Sequence, residues 1–253
     1  MEYEIIENSP LSADTYSMTV NAPDIAQKCY PGQFVNVRVP YDRSKILRRP
    51  ISICFAKEDT ITIAFQVKGE GTGLLSELYP GDKVDMLGPL GRGFPLFQNK
   101  KAALVGGGIG VFPLLYLKTA LEKNCEVDSY LGFRNEECVV MTDEFGKGQS
   151  SLCVSTDDGS VYNKGYITSY FEEKARMYDV VYCCGPVLMM EKVQRTCLGL
   201  DIPLYLSLEQ RMGCGIGACL VCACKIKAKN EKGYDYLHVC KDGPVFDARE
   251  VIL

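Results

Sequence analysis

The sequence lacks three features that would take it outside the class of ordinary globular proteins. No run of Lys and Arg stands out and the net charge is −4, so nucleic-acid binding is not expected. The N-terminus has no basic segment followed by an apolar core, so we expect no secretory signal. The longest uncharged stretch, residues 102–117, is too short to cross a bilayer. These absences predict a cytoplasmic protein with neither a membrane nor a nucleic-acid partner.

Histidine is also scarce, whereas cysteine is abundant. The only histidine, His238, lies two residues before Cys240, so we expect a structural role for it rather than acid–base catalysis. The 13 cysteines are odd in number and accompany no export signal, which argues against a disulfide framework and favours metal or redox use. Five of them lie between Cys214 and Cys240. We interpret most of the scattered cysteines as buried, unreactive thiols.

The chain divides into three segments by pattern. Residues 1–98 contain short β-branched and aromatic runs between Gly and Pro turns, which predict an antiparallel β-barrel. Residues 99–203 alternate apolar strands with helical stretches, which predicts an α/β domain with a parallel sheet. Residues 204–253 form a small, cysteine-rich segment. The predicted fold class is therefore a β-barrel plus α/β, followed by a small C-terminal domain.

The C-terminal cysteines have the spacing of an iron–sulfur ligand set. Cys214, Cys219 and Cys222 follow C-x4-C-x2-C, and Cys240 supplies the distant fourth thiol, as in plant-type 2Fe–2S sites. Small residues between the first two cysteines let backbone N–H groups approach the sulfurs. A zinc site is the competing interpretation, but it would more often show paired C-x2-C knuckles. Cys224 could replace Cys222, because neighbours two apart in a strand share a face, although the spacing favours Cys222.

A glycine run follows the first strand of the α/β segment and opens a helix, where backbone N–H groups can bind a pyrophosphate. Its members are Gly106, Gly107, Gly108 and Gly110. The run departs from the G-x-G-x-x-G fingerprint, and by itself it could equally be a plain tight turn. Cys184, Gly185 and Pro186 follow the last strand of the segment, at the edge where ligands of parallel sheets bind. Cys184 alone could also be a buried strand-end thiol.

The choice between NAD and NADP depends on the residue after the third strand of this segment. Asp157 stands there, and a carboxylate would repel a 2′-phosphate and accept a hydrogen bond from a ribose hydroxyl. This favours NAD, with a solvated turn as the alternative. Arg134, after the second strand, is the counter-argument.

Two segments of the barrel could hold phosphate groups. A basic motif begins one strand, and its Arg and Ser could contact a diphosphate or a flavin ring edge. Its residues are Arg49, Pro50, Ile51 and Ser52. Gly71 and Thr72 lie in a glycine-rich stretch before a short helix, where N–H groups are placed for a phosphate. Without further context, a solvated basic patch would explain the first motif better.

Taken together, the motifs resemble those of known families. The order of barrel and nucleotide domain is that of the ferredoxin-NADP reductase superfamily, and residues 49–52 resemble its R-x-Y-[ST] flavin motif. The segments E-Q-R-M-G-C-G-I-G-A-C (209–219) and V-C-K-D-G-P-V-F (239–246) closely resemble the electron-transfer subunit of type B dihydroorotate dehydrogenase. The similarity covers the whole chain. Two departures are Ile51, where tyrosine is common, and Gln66, where family members often carry arginine.

The resemblance implies FAD, a 2Fe–2S cluster and NAD as cofactors. The implied FAD contacts are Arg49, Pro50, Ile51, Ser52, Ala64, Phe65, Gln66, Gly71 and Thr72. The implied cluster ligands are Cys214, Cys219, Cys222 and Cys240. NAD would be held by the glycine run and by Cys184, Gly185 and Pro186, with Asp157 as the ribose contact argued above.

The resemblance also implies a reaction and a partner. NAD(H) would exchange hydride with FAD, which converts between two-electron and one-electron chemistry. The cluster would carry single electrons to or from an FMN-containing catalytic subunit that oxidises dihydroorotate to orotate in pyrimidine biosynthesis, within a heterotetramer. The alternatives are a related flavin and iron–sulfur subunit of a transhydrogenase or sulfide-linked oxidoreductase, and a non-enzymatic zinc-binding module.

Overall fold

The computed structural model describes residues 1–39, 46–148 and 150–253. The first part of the chain is a closed antiparallel barrel with strand order β1-β2-β5-β4-β3-β6. Its strands are β1 (Glu2–Pro10), β2 (Thr15–Asn21), β3 (Phe34–Val37), β4 (Arg49–Lys57), β5 (Thr60–Gln66) and β6 (Lys83–Leu90). Two short helices, α1 (Pro23–Ala26) and α2 (Glu70–Ser76), connect them. The predicted barrel is confirmed.

Alternation of apolar and polar residues forms the barrel interior. In β5 the side chains of Ile61, Ile63 and Phe65 lie in the barrel core, as the two-residue period of a strand requires. In β3 the side chains of Val35 and Val37 do the same. The intervening residues of β3 therefore face away from the barrel core, toward the rest of the molecule.

The second part is a sheet with strand order β10-β9-β8-β7-β11-β12-β15. Its strands are β7 (Lys101–Gly107), β8 (Glu126–Phe133), β9 (Ser151–Thr156), β10 (Asn163–Lys164), β11 (Val180–Cys184), β12 (Leu204–Ser207) and β15 (Val245–Asp247). The helices are α3 (Val111–Leu121), α4 (Thr142–Gly146), α5 (Ile167–Lys174) and α6 (Val187–Gly199). All neighbouring strands are parallel except the last pair, β12 and β15. The predicted parallel α/β part is confirmed.

The C-terminal residues pack against both other parts. They form the hairpin of β13 (Ala223–Lys227) and β14 (Tyr234–His238), and then β15 joins the large sheet. One hydrophobic core unites the cysteines Cys222 and Cys240 with Phe34 of the barrel and with Val105 and Val181 of the sheet. The domain boundaries after residues 98 and 203 stay predictions. Across the described residues, no helix is both long and apolar enough to cross a membrane.

Candidate electron-transfer site

The predicted flavin motif begins β4. Pro50 is exposed, Arg49 and Ser52 are half-buried, and Ile51 lies in the barrel core. The Arg49 guanidinium lies directly over Gly71, because a Cβ atom built on Gly71 would be 2.5 Å from Arg49 Nη2. A guanidinium at this position offers charge and paired N–H donors, which suit a diphosphate.

The end of β5 lies in the same sheet as this motif. Phe65 is buried in the barrel core, and Ala64 is buried in the core between the barrel and the large sheet. Gln66 is only partly buried, and its Nε2 donates a hydrogen bond to Asp14 Oδ2 at 2.6 Å. Of these three residues, only Gln66 has a polar side chain, and its amide nitrogen is already hydrogen-bonded to Asp14 of the barrel. Their FAD contacts stay predictions.

Thr72 closes the turn that leads into α2. Its Oγ1 accepts a hydrogen bond from Lys68 N at 2.9 Å and donates one to Gly69 O at 3.1 Å. These bonds fix the turn at the place where Gly71, which has no side chain, leaves room for the Arg49 guanidinium. The structure therefore brings Arg49, Gly71 and Thr72 together, although they come from two separate sequence motifs.

The Gly71→Ala variant is expected to bind FAD about tenfold or more weakly than the wild-type protein, with little change in melting temperature. The new methyl group would displace the Arg49 guanidinium, which is the flexible end of a side chain and can move at low cost. A lost hydrogen bond to a charged group accounts for this magnitude. Fluorescence titration of the FAD-free protein would measure the Kd.

Gly73→Ala is the matched control, because Gly73 lies in the same helix and a Cβ atom there would meet nothing within 4 Å. It should bind FAD as the wild type does. Equal FAD affinity of both variants would contradict a role of the Arg49 position in FAD binding.

The two predicted nucleotide turns lie side by side. Strands β7 and β11 are adjacent, with Gly106 opposite Cys184. A Cβ atom on Gly110 would be 2.4 Å from the carbonyl oxygen of Cys184, and one on Gly107 would be 2.6 Å from Met189 Sδ. Both turns therefore depend on glycine for their close approach at the carboxyl end of the sheet, which is where ligands of parallel sheets bind.

The remaining residues of these turns differ in exposure. Gly108 has a φ of +53°, and a Cβ atom there would meet nothing within 4 Å, so its backbone faces open space. Pro186 is the residue before α6, and Gly185 packs against Gly107 N. The Cys184 thiol is buried, and burial followed by the charge of Glu209 raises its pKa well above the usual range. It is therefore a neutral thiol.

Asp157 lies at the same edge of the sheet, two strands away from β7. It directly follows β9, and its N–H donates to Phe133 O at 2.9 Å. Burial raises the pKa of the Asp157 carboxyl, and nearby Arg134 opposes that rise. The carboxylate that argues for NAD and the guanidinium that argues for NADP therefore interact electrostatically.

The four predicted cluster cysteines come together in the C-terminal segment. Cys219 Sγ accepts a hydrogen bond from Cys214 N at 3.3 Å. Gly217 N donates to Cys240 Sγ at 3.1 Å, and Cys240 N donates to Cys222 Sγ at 3.4 Å. Residues 213–222, which we call the cluster loop, thus carry three of the four thiols, and the N–H of Gly217 in this loop contacts the fourth, that of Cys240.

Backbone N–H groups surround the thiol of Cys214. Ile216, Ala218 and Cys219 donate to its Sγ at 3.3 to 3.4 Å. These hydrogen bonds, led by that of Ile216, lower the pKa of Cys214 to about 6, while burial raises the pKa of Cys240 to about 12. Metals bind the thiolate form, and N–H groups directed at sulfur stabilise a negatively charged cluster. The donor set therefore fits a 2Fe–2S cluster.

Cys224 lies apart from this loop, on β13. It is buried, and burial followed by the proximity of Cys222 raises its pKa to about 11. Its partner across the hairpin is Leu237. The part of the chain that the structure describes contains no group of three His, Cys, Asp or Glu side chains arranged around a single metal ion. A two-iron cluster does not need one, because four thiolates are shared between two irons.

The barrel and the cluster loop meet at β3. Asn36 is fully buried, and its Nδ2 donates a hydrogen bond to Cys214 O at 3.0 Å. Asn36 also lies directly opposite Pro50 of the flavin motif in the β3–β4 pair. A separate hydrogen bond from Arg92 N to Gly243 O, at 2.5 Å, joins the segment after β6 to the C-terminal segment outside the cluster loop. Asn36 therefore lies between Pro50 of the flavin motif and the cluster cysteine Cys214.

Sequence reasoning missed two residues of this site. Asn36 carries a signal, since it is a polar side chain in the apolar run F-V-N-V and faces away from the barrel core. Met189, which contacts Gly107 and Gly185, carries no signal that distinguishes it from an ordinary apolar residue of a helix.

Two family models match the chain. The oxidoreductase FAD-binding domain matches residues 2–94, and the iron–sulfur cluster binding domain of dihydroorotate dehydrogenase B matches residues 209–252. Among curated relatives, the dihydroorotate dehydrogenase B (NAD(+)) electron transfer subunit of Clostridium acetobutylicum is 42% identical, with 99% of this chain and 96% of that protein covered. The subunit of the same name from Geobacillus kaustophilus is 43% identical, with 94% and 93% covered.

Solved structures share the fold. A chain of the NADH-dependent reduced ferredoxin-NADP oxidoreductase, a structure that concerns flavin-based electron bifurcation, has a TM-score of 0.86 and 28% identity, with 99% of this chain and 89% of that chain covered. Phthalate dioxygenase reductase has a TM-score of 0.66 and 20% identity, with 95% and 94% covered, and shows the fold alone.

Proposed function

Because the chain belongs to the family of dihydroorotate dehydrogenase B electron transfer subunits, we propose that it carries electrons between NAD and the FMN of a catalytic partner that oxidises dihydroorotate to orotate. The chain is an oxidoreductase subunit, and the predicted cofactors FAD, 2Fe–2S and NAD are those of its family. The name of the family implies a catalytic partner subunit. The FMN of that partner, a heterotetrameric assembly and the cytoplasmic location remain part of the proposal.

The observation that carries the proposal is the connection, through Asn36 of β3, between the flavin motif and the cluster loop. Pro50 lies opposite Asn36 in neighbouring strands, and Asn36 donates its hydrogen bond to the carbonyl oxygen of Cys214. Directly opposed residues of antiparallel strands have Cα atoms about 5 Å apart. A flavin on β4 and a cluster in the cluster loop would therefore be neighbours, as one-electron transfer between them requires.

The residues of the chain have separable tasks in this proposal. Arg49, supported by Gly71, binds the FAD diphosphate, and the turns at Gly107 and Gly185 bind the nicotinamide nucleotide. The N–H groups of the cluster loop stabilise negative charge on the sulfur of Cys214. When bound, the flavin supplies the conversion between two-electron hydride chemistry and the one-electron chemistry of the cluster. No side chain has to act as a general acid or base.

Apolar side chains surround the cluster thiols on the outer surface. Ile216, Leu220 and Val221 are 59%, 60% and 58% exposed, although all three are apolar. Exposed apolar residues grouped at a redox centre mark a protein contact. The proposal places the catalytic subunit on this rim, where it would cover the cluster loop.

The proposal is tested with tagged protein isolated anaerobically from its native lysate. The preparation should contain FMN in addition to FAD and iron, and it should reduce NAD⁺ when dihydroorotate is added. Native mass spectrometry of the same sample would give the stoichiometry, with two copies of each subunit expected. A flavin and cluster that NADH bleaches, without dihydroorotate activity or FMN, would overturn the partner assignment.

A second candidate is the subunit of a transhydrogenase, favoured by the structural similarity to the NADH-dependent reduced ferredoxin-NADP oxidoreductase. Its identity of 28% is lower than the 42% to the Clostridium acetobutylicum electron transfer subunit, so the first function is preferred. The protein isolated in this way also distinguishes the two candidate functions, because a transhydrogenase would exchange hydride between NADH and NADP⁺ without dihydroorotate.

NADH should be a better reductant of the protein-bound flavin than NADPH. The carboxylate of Asp157 would repel a 2′-phosphate and accept a ribose hydroxyl hydrogen bond. The Asp157→Ser variant should reduce the NADH over NADPH preference by about tenfold, the value of one such interaction. The ratio of kcat/KM for the two nucleotides measures it, and a wild-type preference for NADPH would reverse the assignment.

A further inference from the structure

The side chains of β3 alternate between the barrel core and the cluster segment. Val35 and Val37 lie in the barrel core, whereas Phe34 lies in the core that contains Cys222 and Cys240. Asn36 is on the same side of the strand as Phe34, and none of its surface is exposed. A fully buried amide at this position is costly unless it makes a specific hydrogen bond.

The hydrogen bond that Asn36 makes is to the backbone of a cluster cysteine. Its Nδ2 donates to Cys214 O at 3.0 Å, across 178 residues of sequence. A Cβ atom on Gly215, whose φ is +73°, would be 2.4 Å from the same Nδ2, so the loop approaches Asn36 closely only because this residue is glycine. The next residue, Ile216, directs its N–H at Cys214 Sγ. Asn36 therefore fixes the peptide that begins the turn around this sulfur.

The rest of the Asn36 amide is unpaired. Within residues 1–39, 46–148 and 150–253, its buried Oδ1 has no hydrogen-bond partner. The backbone of Asn36 is held separately, by pairing with Pro50 in β4 and through Arg48 Nη1, which donates to its carbonyl oxygen at 3.3 Å. The bond from Nδ2 thus links the cluster loop to β3, which pairs with β4, the strand that carries the flavin motif and that we call the flavin strand.

We infer that Asn36 is a positioning residue that holds the cluster loop in place against the flavin strand and thereby sets the rate of electron transfer between FAD and the cluster. The inference rests on the proposed function and adds a residue to it. When both groups are bound, NADH would supply two electrons as hydride and leave as NAD⁺, and electrons would pass one at a time from the flavin to the cluster held by the cluster loop.

The test compares Asn36→Leu, which is similar in size but has no donor, with the wild type, each isolated as the full chain in its native complex. Stopped-flow absorbance after mixing with NADH would follow flavin reduction, and freeze-quench EPR would follow cluster reduction. We expect flavin reduction within about twofold of the wild type, and cluster reduction slowed by about fivefold to tenfold, the equilibrium effect of one hydrogen bond. Asn36→Ala is the second variant should Leu prevent folding.

Hydrogen exchange supplies a measurement that does not depend on activity. The amides of Ile216, Ala218 and Cys219 should exchange about fivefold faster in the variant, because the loop opens more often without its anchor. Asn8→Leu is the matched control. Asn8 is another Asn of the barrel with an unpaired, buried Oδ1 among the described residues. Its Nδ2 donates to Leu75 O, Ser76 O and Leu78 O at 2.8 to 3.4 Å, at the end of α2 and away from the cluster loop. It should lower stability without altering the exchange of these amides.

Two results would overturn the inference about Asn36. One is a rate of cluster reduction equal to that of the wild type, and the other is loop exchange no faster than in Asn8→Leu. Failure of the proposed function would look different, because the wild-type preparation would then show no dihydroorotate-dependent reduction of NAD⁺. The comparison of cluster reduction and loop exchange between the variants does not use dihydroorotate, so the two failures are distinguishable.

Discussion

Replacing Cys222 by serine is expected to abolish the 2Fe–2S absorbance and EPR signals, whereas replacing Cys224 by serine should retain them. Cys222 Sγ accepts a hydrogen bond from Cys240 N at 3.4 Å, so these two thiols lie together in the cluster set. Cys224 lies outside the cluster loop, on the hairpin strand β13, where it pairs with Leu237 of β14. A serine hydroxyl is a harder and poorer ligand for cluster iron than a thiolate.

Iron analysis on the two purified variants measures this difference. Cys224→Ser should hold about two irons per chain, as a 2Fe–2S site requires, and Cys222→Ser close to none. FAD content is the internal control, because the predicted flavin residues lie on β4, β5 and α2 and should be unaffected in both proteins. Loss of iron from Cys224→Ser with retention in Cys222→Ser would exchange the roles of the two cysteines.

The fold was predictable to the extent that its signals are local. Alternating runs such as T-I-T-I-A-F-Q and glycine turns identify the strands one at a time. The pairing order β1-β2-β5-β4-β3-β6 depends on contacts between distant residues and has no such signal. The same holds for β15, a strand of only three residues, which completes the large sheet beside β12.

The candidate site also contains features with a local sequence signal and features that depend on contacts between distant residues. The cysteine spacing is a local pattern, so the ligands could be proposed from the sequence. The link from Asn36 to Cys214 spans 178 residues, and only the folded chain brings the two together. The support of Arg49 by Gly71 is a similar case, because each residue was identified in its own motif while their contact depends on the pairing of β4 with β5.

Gly110→Ala is expected to destabilise the protein by about 1–3 kcal/mol and to weaken NADH binding, while FAD and the cluster are retained. The added Cβ would be 2.4 Å from the carbonyl oxygen of Cys184, 2.6 Å from its carbonyl carbon and 2.7 Å from Gly185 N. These are backbone atoms of a buried strand end, so the two turns would have to separate. Thermal unfolding, with a fall in melting temperature of roughly 2–12 °C, would measure the first effect, and the NADH dependence of flavin bleaching would measure the second.

Alanine variants of two other glycines in the α/β part serve as controls for the stability and NADH affinity of Gly110→Ala. A Cβ atom on Gly199 would meet nothing within 4 Å, so Gly199→Ala should retain wild-type stability and NADH affinity. Gly107→Ala should lower stability by an intermediate amount. The atom nearest to its new Cβ would be the sulfur of the flexible Met189 side chain, followed by a carbon of the Pro186 ring. The expected order of destabilisation therefore follows the rigidity of the contacted atoms. If Gly110→Ala behaved like Gly199→Ala in both measurements, these turns would not form the nucleotide site.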